Sequence, residues 1–468
     1  MSLSQVFVSA QEREAWLRQQ GIIFYPLKNG IKIVALARGS KDSVFTSINF
    51  HFLSGAFFDP PKQKGLHHLL EHVILSNFFW EQRNRNDTQI NAITWPLRLT
   101  FEASGPVSLT GVQFGLLEAI EPLVVRLMKF AQGKTSQEFE KVFAREKEVV
   151  SREIEEKNND YQHQLALFLT SLIFAPDNPV NASILGTKES LSRSSSKSLV
   201  KLAREVLIGS NLIVSILTES SEEVIEKTVK KLTKLLNQLP RGKKKRPWPK
   251  DKEKKLNSKV KPGKIYYQIN NLRPDFASLI AFYQLRNISL FTPLGLALKR
   301  LIERTKIVFI SLVRQRGLSY SPFVRLRLSG GRAGGLVLGL NFNPRSWKRQ
   351  GQERLISEFR ALINQTWAVF DQNLVQQIIN VEQRRQKTTP LAASTLLDWL
   401  LWGLFRYQRF IAGEKVKRLF AQIGSAEIDY WLNYFRSQVP TIALFGDLAK
   451  LFNQLDRLGS TRREGKRD

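Results

Sequence analysis

Apolar and polar positions along the chain follow two periods, and the sequence of periods runs through twice. Phe24-Tyr25-Pro26 and Ile31-Lys32-Ile33-Val34 flank Asn29-Gly30, which predicts a hairpin. Residues 44–52 alternate and are rich in β-branched and aromatic side chains, so they read as a third strand. Residues 91–102 look like further sheet, and 212–217 (LIVSIL) is a buried-type strand. Between them, helical periodicity covers 107–130, 136–174 and 221–239. Beyond residue 264 the pattern restarts, with strands at 265–269, 277–284, 318–328 and 335–342 around Gly330-Gly331. Helices are expected at 293–308, 349–370 and 372–386, and 441–445 mirrors the closing strand of the first half. The expected fold is α+β, with two structurally similar domains, each a mainly antiparallel sheet packed with helices. They span 1–239 and 264–458, joined by a Pro-marked basic linker at 240–263 and followed by a tail at 459–468.

Composition narrows the chemistry. A chain of 468 residues that is 43% hydrophobic has ample material for packed cores. It has no Cys, so any transition metal must be held by His and carboxylate. No run is long and apolar enough to span a bilayer: 396–411 is interrupted by Asp398, Arg406 and Arg409 and reads as an amphipathic helix. With no secretory pattern in residues 1–13, a cytoplasmic location is expected. Net charge is +30, a balance that suits anionic partners such as RNA, anionic membrane or acidic proteins. Much of it is local, because 241–264 holds twelve Lys/Arg and the tail adds Arg462, Arg463, Lys466 and Arg467. No nucleic-acid-binding motif accompanies it.

The candidate chemistry lies in Gly65-Leu66-His67-His68-Leu69-Leu70-Glu71-His72. Only five His occur in the chain, and three fall within 67–72. On a helix, His68 and His72 stack on one face with Glu71 beside them, two imidazoles of a metal site and a carboxylate placed to act as a base. The expected helix at 136–174 has an apolar stripe of Val142, Phe143, Val149, Val150 and Ile154, and Glu146 and Glu153 share it. Carboxylates facing a core are costly unless paired or metal-bound. A His2Glu set that leaves a fourth position for water is a standard catalytic zinc arrangement.

These features resemble the pitrilysin/insulinase family of inverzincin zinc metallopeptidases, in its half-length branch with the mitochondrial and bacterial processing peptidases. The resemblance covers most of the chain: Leu27-Lys28-Asn29-Gly30-Ile31, the H-x-x-E-H segment, Asn91-Ala92-Ile93-Thr94, the Glu146/Glu153 pair, 184–191 (ILGTKESL) and 316–321 (RGLSYS). It implies that His68, His72 and Glu153 bind Zn2+, that Glu71 is the general base, and that Glu146 supports the ligands from behind. Asn91 and Ala92 would lie on an edge strand that receives the substrate backbone. Tyr320 would hold the substrate or its oxyanion. Activity on extended or presequence-like peptides inside a chamber is implied, with a homodimer or a heterodimer with a related subunit.

The chain also departs from the family pattern. His67 stands where a small residue is usual, as a third imidazole that competes for the metal or faces outward. The Arg that the family places seven residues before the Tyr falls on Val313, with Arg314 one step on and turned by about 100°. That shift implies either an Arg supplied by a partner or a catalytically impaired member acting as a scaffold or binding subunit.

Overall fold

A computed structural model describes residues 6–37, 45–76, 88–106, 116–135, 137–219, 222–243, 249–273, 275–319, 321–329, 331–344, 352–388, 392–448 and 461–462. The first half runs α1 (Arg13–Gln19), β1 (Ile22–Pro26), β2 (Lys32–Ala37), β3 (Phe45–Phe52), α2 (Leu66–Leu75), β4 (Gln89–Thr94), β5 (Leu99–Pro106). It continues α3 (Leu116–Ala131), α4 (Gln137–Asn158), α5 (Tyr161–Ile173), α6 (Lys188–Ser192), α7 (Ser196–Val206), β6 (Leu212–Thr218) and α8 (Glu222–Leu236). Its strands form a six-stranded sheet in the order β1-β2-β6-β3-β5-β4, with β2 and β6 parallel and the other neighbours antiparallel.

After α9 (Lys250–Glu253), the second half repeats the plan: β7 (Ile265–Ile269), β8 (Ala277–Ser289), α10 (Pro293–Gln315), β9 (Phe323–Ser329), β10 (Arg332–Phe342). Then come α11 (Gln352–Ala368), α12 (Gln372–Thr388), α13 (Ala393–Tyr407), α14 (Gly413–Ala421), α15 (Ser425–Ser437), β11 (Thr441–Gly446) and β12 (Thr461–Arg462). The second sheet has the order β12-β7-β11-β8-β10-β9. Matching the two orders pairs β2 with β7, β6 with β11, β3 with β8, β5 with β10 and β4 with β9. Helix α2, between β3 and β4, therefore corresponds to α10, between β8 and β9.

Each sheet has its own core on the face that carries α2 or α10. The opposite faces are covered by exchange. Leu396, Leu397, Leu400, Leu401 and Leu404 of α13 pack on Val34, Leu36 and Ile213 of the first sheet. Leu165, Phe168, Leu169 and Leu172 of α5 pack on Ile280, Phe282, Val337 and Ala443 of the second. Burying each such side chain contributes about 1.5–3 kcal/mol, so the two halves hold each other together.

Several expectations change in detail. Asn29-Gly30 sits in the 27–31 loop instead of a two-residue turn, and the Asn29 amide donates to Leu236 O and Leu239 O at the end of α8. The helix expected over 136–174 is two helices, because Asp160 accepts from the backbone N–H of Gln162 and His163 and starts α5 afresh. The strand expected over 318–328 begins only at Phe323. The connecting stretch is no free spacer where it is described: Glu253 is buried and ion-paired with Arg406 of α13, and Asn178 donates to Glu253 O and Lys255 O. Among the described residues no helix is long and apolar enough to cross a membrane.

Candidate metal centre

Helix α2 is fixed at its start by groups the sequence does not connect. Gly65 has φ +90°, and a Cβ there would lie 2.2 Å from Leu185 O, so only glycine fits. The Asp59 carboxylate accepts from the backbone N–H of Gly65 (2.8 Å) and of His67 (3.0 Å), doing the work of an N-cap. It also meets His67 Nδ1 at 2.5 Å, and His67 Nε2 lies 2.8 Å from Ser54 Oγ. All three side chains are buried. His67 therefore neither competes for a metal nor faces outward, which corrects the expectation: it is buried, and Asp59 and Ser54 engage both its nitrogens. The Asp–His–Ser order resembles a hydrolase triad, but Ser54 is sealed from any substrate.

His68 and His72, one turn apart on the same helix, stand with ring centroids 4.6 Å apart. Glu153 reaches them from α4: its Oε2 lies 3.6 Å from His68 Nε2 and 3.4 Å from His72 Nε2. Two ligands bound at about 2.05 Å with a tetrahedral angle between them are about 3.3 Å apart. The two Glu153 separations thus match ligands of one zinc ion, and all three donor atoms lie within 4.8 Å of one another.

Glu146, two turns before Glu153, places Oε2 3.5 Å from His72 Nδ1, and its other oxygen accepts from Arg145 (2.8 Å). A carboxylate behind a ligating imidazole fixes the ring and raises its basicity. His68 lacks such a partner: its Nδ1 is buried without a hydrogen bond among the described residues. Without a metal the two rings diverge electrostatically. Burial, and then the charge of His72, push His68 down to about 4. Burial would lower His72 too, but Glu146, Glu153 and Glu71 together lift it to about 9. Hydrogen bonding to His72 holds Glu153 below the usual carboxylate range.

Glu71 is buried and accepts a hydrogen bond from Thr94 Oγ1 at the end of β4. Burial raises its pKa against the opposing effect of Thr94. β4 is the terminal strand in the sheet order, with Asn91 exposed and Ala92 turned into the core. In the second half, Val313 is sealed in the core while Arg314 is exposed on the last turn of α10. Tyr320 lies outside the described residues. Asp59, Ser54, Arg145 and Thr94 were missed by sequence reasoning. Only Thr94 carried a signal, as the last residue of N-A-x-T.

No family model matches the chain, and no curated protein does. Solved structures do. An M16-like peptidase from Alicyclobacillus acidocaldarius is 13% identical with a TM-score of 0.63, over 91% of this chain and 97% of that one. The inactive domain of an M16 peptidase from Pseudomonas fluorescens is 11% identical at 0.66, over 91% and 97%. Pitrilysin is 14% identical at 0.59, over 91% of this chain but 45% of its own. Chains described as a peptidase and as an inactive domain share this architecture, so the likeness speaks for the fold alone. The fold of this chain is that of the M16 peptidases, at about half the length of pitrilysin.

Proposed function

We propose that the chain is a zinc endopeptidase acting on extended peptides, with 1–239 as the catalytic unit and 264–458 as its metal-free counterpart. The observation that carries this reading is the convergence of His68, His72 and Glu153, donor atoms within 4.8 Å of one another, beside Glu71. A zinc ion held there supplies Lewis-acid polarisation of the scissile carbonyl and brings a water's pKa towards neutrality. Glu71, a carboxylate made more basic by burial, takes the proton of the attacking water and delivers it to the leaving amine. Thr94 keeps that carboxylate oriented, and Glu146 keeps His72 turned towards its partner ligands. β4 offers the substrate an edge to pair with, which favours an extended backbone. Because the chain spans under half of pitrilysin, a second subunit completing a closed chamber belongs to the proposal.

A second reading, a catalytically impaired scaffold or binding subunit, draws on Val313 and Arg314 standing where the family pattern has its Arg one step earlier. The two separate on one experiment: cleavage of a quenched-peptide library before chelation, after chelation and after zinc is restored. Cleavage lost with the metal and regained with zinc supports the endopeptidase. A zinc-loaded chain that binds peptides and cleaves none supports the scaffold.

A further inference from the structure

Helix α2 is ten residues long, and its two candidate ligands stand on different turns. His68 lies near the start, which Asp59 fixes through the backbone of Gly65 and His67. His72 lies in the last turn, where the final four carbonyls have no partner inside the helix. At Ser76 ψ turns to 171° and the helix stops. Ligand distances in a metal site are held to about 0.2 Å, so a last turn that frayed would spoil the set.

Arg126 meets that end from α3. Its Nη2 donates to Val73 O at 2.8 Å and to Ser76 Oγ at 2.6 Å. Val73 directly follows His72, and its carbonyl is one of the four left over. Ser76 is buried. A single nitrogen thus ties both the last turn and the stop residue of α2 to a neighbouring helix. Burial pulls the guanidinium below its usual pKa, and the charges of Glu138 and Glu146 on α4 oppose the shift. Glu146 is the carboxylate behind His72. Arg126 therefore stands where α2, α3 and α4 meet, within electrostatic reach of the group that orients His72.

A cavity of about 570 Å³ opens beside it, lined by Ser76, Val125, Arg126, Val142 and Arg145. Two of these residues serve one ligand. Arg145 holds the far oxygen of Glu146, and Arg126 holds the backbone that follows His72. On the cavity side, hydrogen bonds rather than packing secure the end of α2.

We propose that Arg126 is a positioning residue of the metal centre, clamping the last turn of α2 and so setting His72 at its distance from His68 and Glu153. This rests on the metal-binding part of the proposed function and not on hydrolysis. The test measures Zn2+ affinity of the full-length chain by chelator competition, with the visible absorption of bound Co2+ as a report on ligand geometry. Arg126→Ala should bind Zn2+ about tenfold more weakly and lose Co2+ absorption. Arg126→Lys keeps a cation with several N–H donors and should stay close to wild type. The cavity leaves room for methylguanidinium, which should restore most of the tenfold to Arg126→Ala. Tetramethylammonium, a cation with no N–H to donate, should restore none. Ser76→Ala removes one of the two acceptors and should cost less, and adding it to Arg126→Ala should cost nothing further.

An Arg126→Ala chain that melts lower but keeps wild-type Zn2+ affinity and Co2+ absorption overturns the role, as does equal rescue by tetramethylammonium. If wild type binds zinc and cleaves no peptide, only the hydrolytic reading fails, and the same outcomes decide Arg126. If wild type binds no zinc, the metal reading fails, and hydrogen exchange across 69–75 decides the clamp. Faster exchange in Arg126→Ala supports it, and unchanged exchange overturns it.

Discussion

The two halves of the molecule use one plan and place opposite kinds of side chain between corresponding helices. In the first half, α2 and α4 are bridged by His68, His72 and Glu153. In the second, the helices at the same places in the order, α10 and α12, are bridged by Arg300 and Glu382, whose atoms approach to 2.6 and 3.0 Å. The guanidinium meets two carboxylates, Glu382 and, at 2.7 Å, Glu303, and so supplies the cation itself. Two imidazoles and one carboxylate do not: they share a point in space and call for a cation. The buried residues of α10 are Gly295, Leu296, Ala297, Leu298, Leu301, Ile302, Thr305, Phe309 and Val313, and none of these ligates a metal as His or a carboxylate does. The fold places two helices side by side. On the proposed reading, the side chains between those helices, imidazoles in one half and a guanidinium in the other, separate the metal-binding half from its counterpart.

The comparison can be broken at several points. The largest effect is expected from Glu71→Gln, which leaves all three ligands in place: peptide hydrolysis should fall by about 10²–10⁴-fold while zinc content stays at the wild-type level. A smaller rate change would move the base elsewhere. In the second half, Arg300→Ala removes a guanidinium that pairs with the buried Glu382 carboxylate and should destabilise the chain by about 3–5 kcal/mol in denaturant unfolding. Zinc content should not change, and a loss of zinc there would show that the halves are not separate in their chemistry.

Glu146→Ala removes the support behind His72, together with the exposed-side pairing of Arg145. It should weaken zinc affinity by about 10–100-fold, read by competition with a chelator. The smallest effect concerns His51, buried in the first sheet between Thr100 and Ser215 and packed edge-on against Phe405 of α13. Burial, with Arg98 adding to it, pushes its pKa from 6.5 down to about 3. The unfolded chain therefore takes up a proton below pH 6.5 that the folded chain refuses, and stability falls as pH drops through that window. From pH 6.5 to 5.5 the loss from this group is about 1 kcal/mol. Urea unfolding at the two pH values should show a shallower loss in His51→Asn, and an equal one would mean that His51 is protonated in the fold.

How much of this was legible depended on distance along the chain. Alternation marked most strands, because a half-buried strand must alternate. His68 and His72 were legible because four residues make one helical turn, and Glu146 and Glu153 because seven make two. The link between Asp59, His67 and Ser54 has no such period. His67 looked like a spare ligand in sequence and proved to be a brace whose partners lie eight and thirteen residues back. Arg300 and Glu382 stand 82 residues apart, so nothing local announced them. The exchange of α5 and α13 was also hidden, since an amphipathic stripe shows that a helix is covered and not which sheet covers it. The basic stretch at 240–263 read as linker from its charge, yet the buried Glu253–Arg406 pair ties part of it to α13.

The central claim is that the first half holds one zinc ion through His68, His72 and Glu153 and the second holds none. Zinc per chain, measured by elemental mass spectrometry on wild type and His72→Ala after identical dialysis, tests it most directly. One zinc per wild-type chain, falling by about tenfold or more in the variant, is the expected result. A wild-type chain without zinc, or a variant that keeps its full complement, would contradict it.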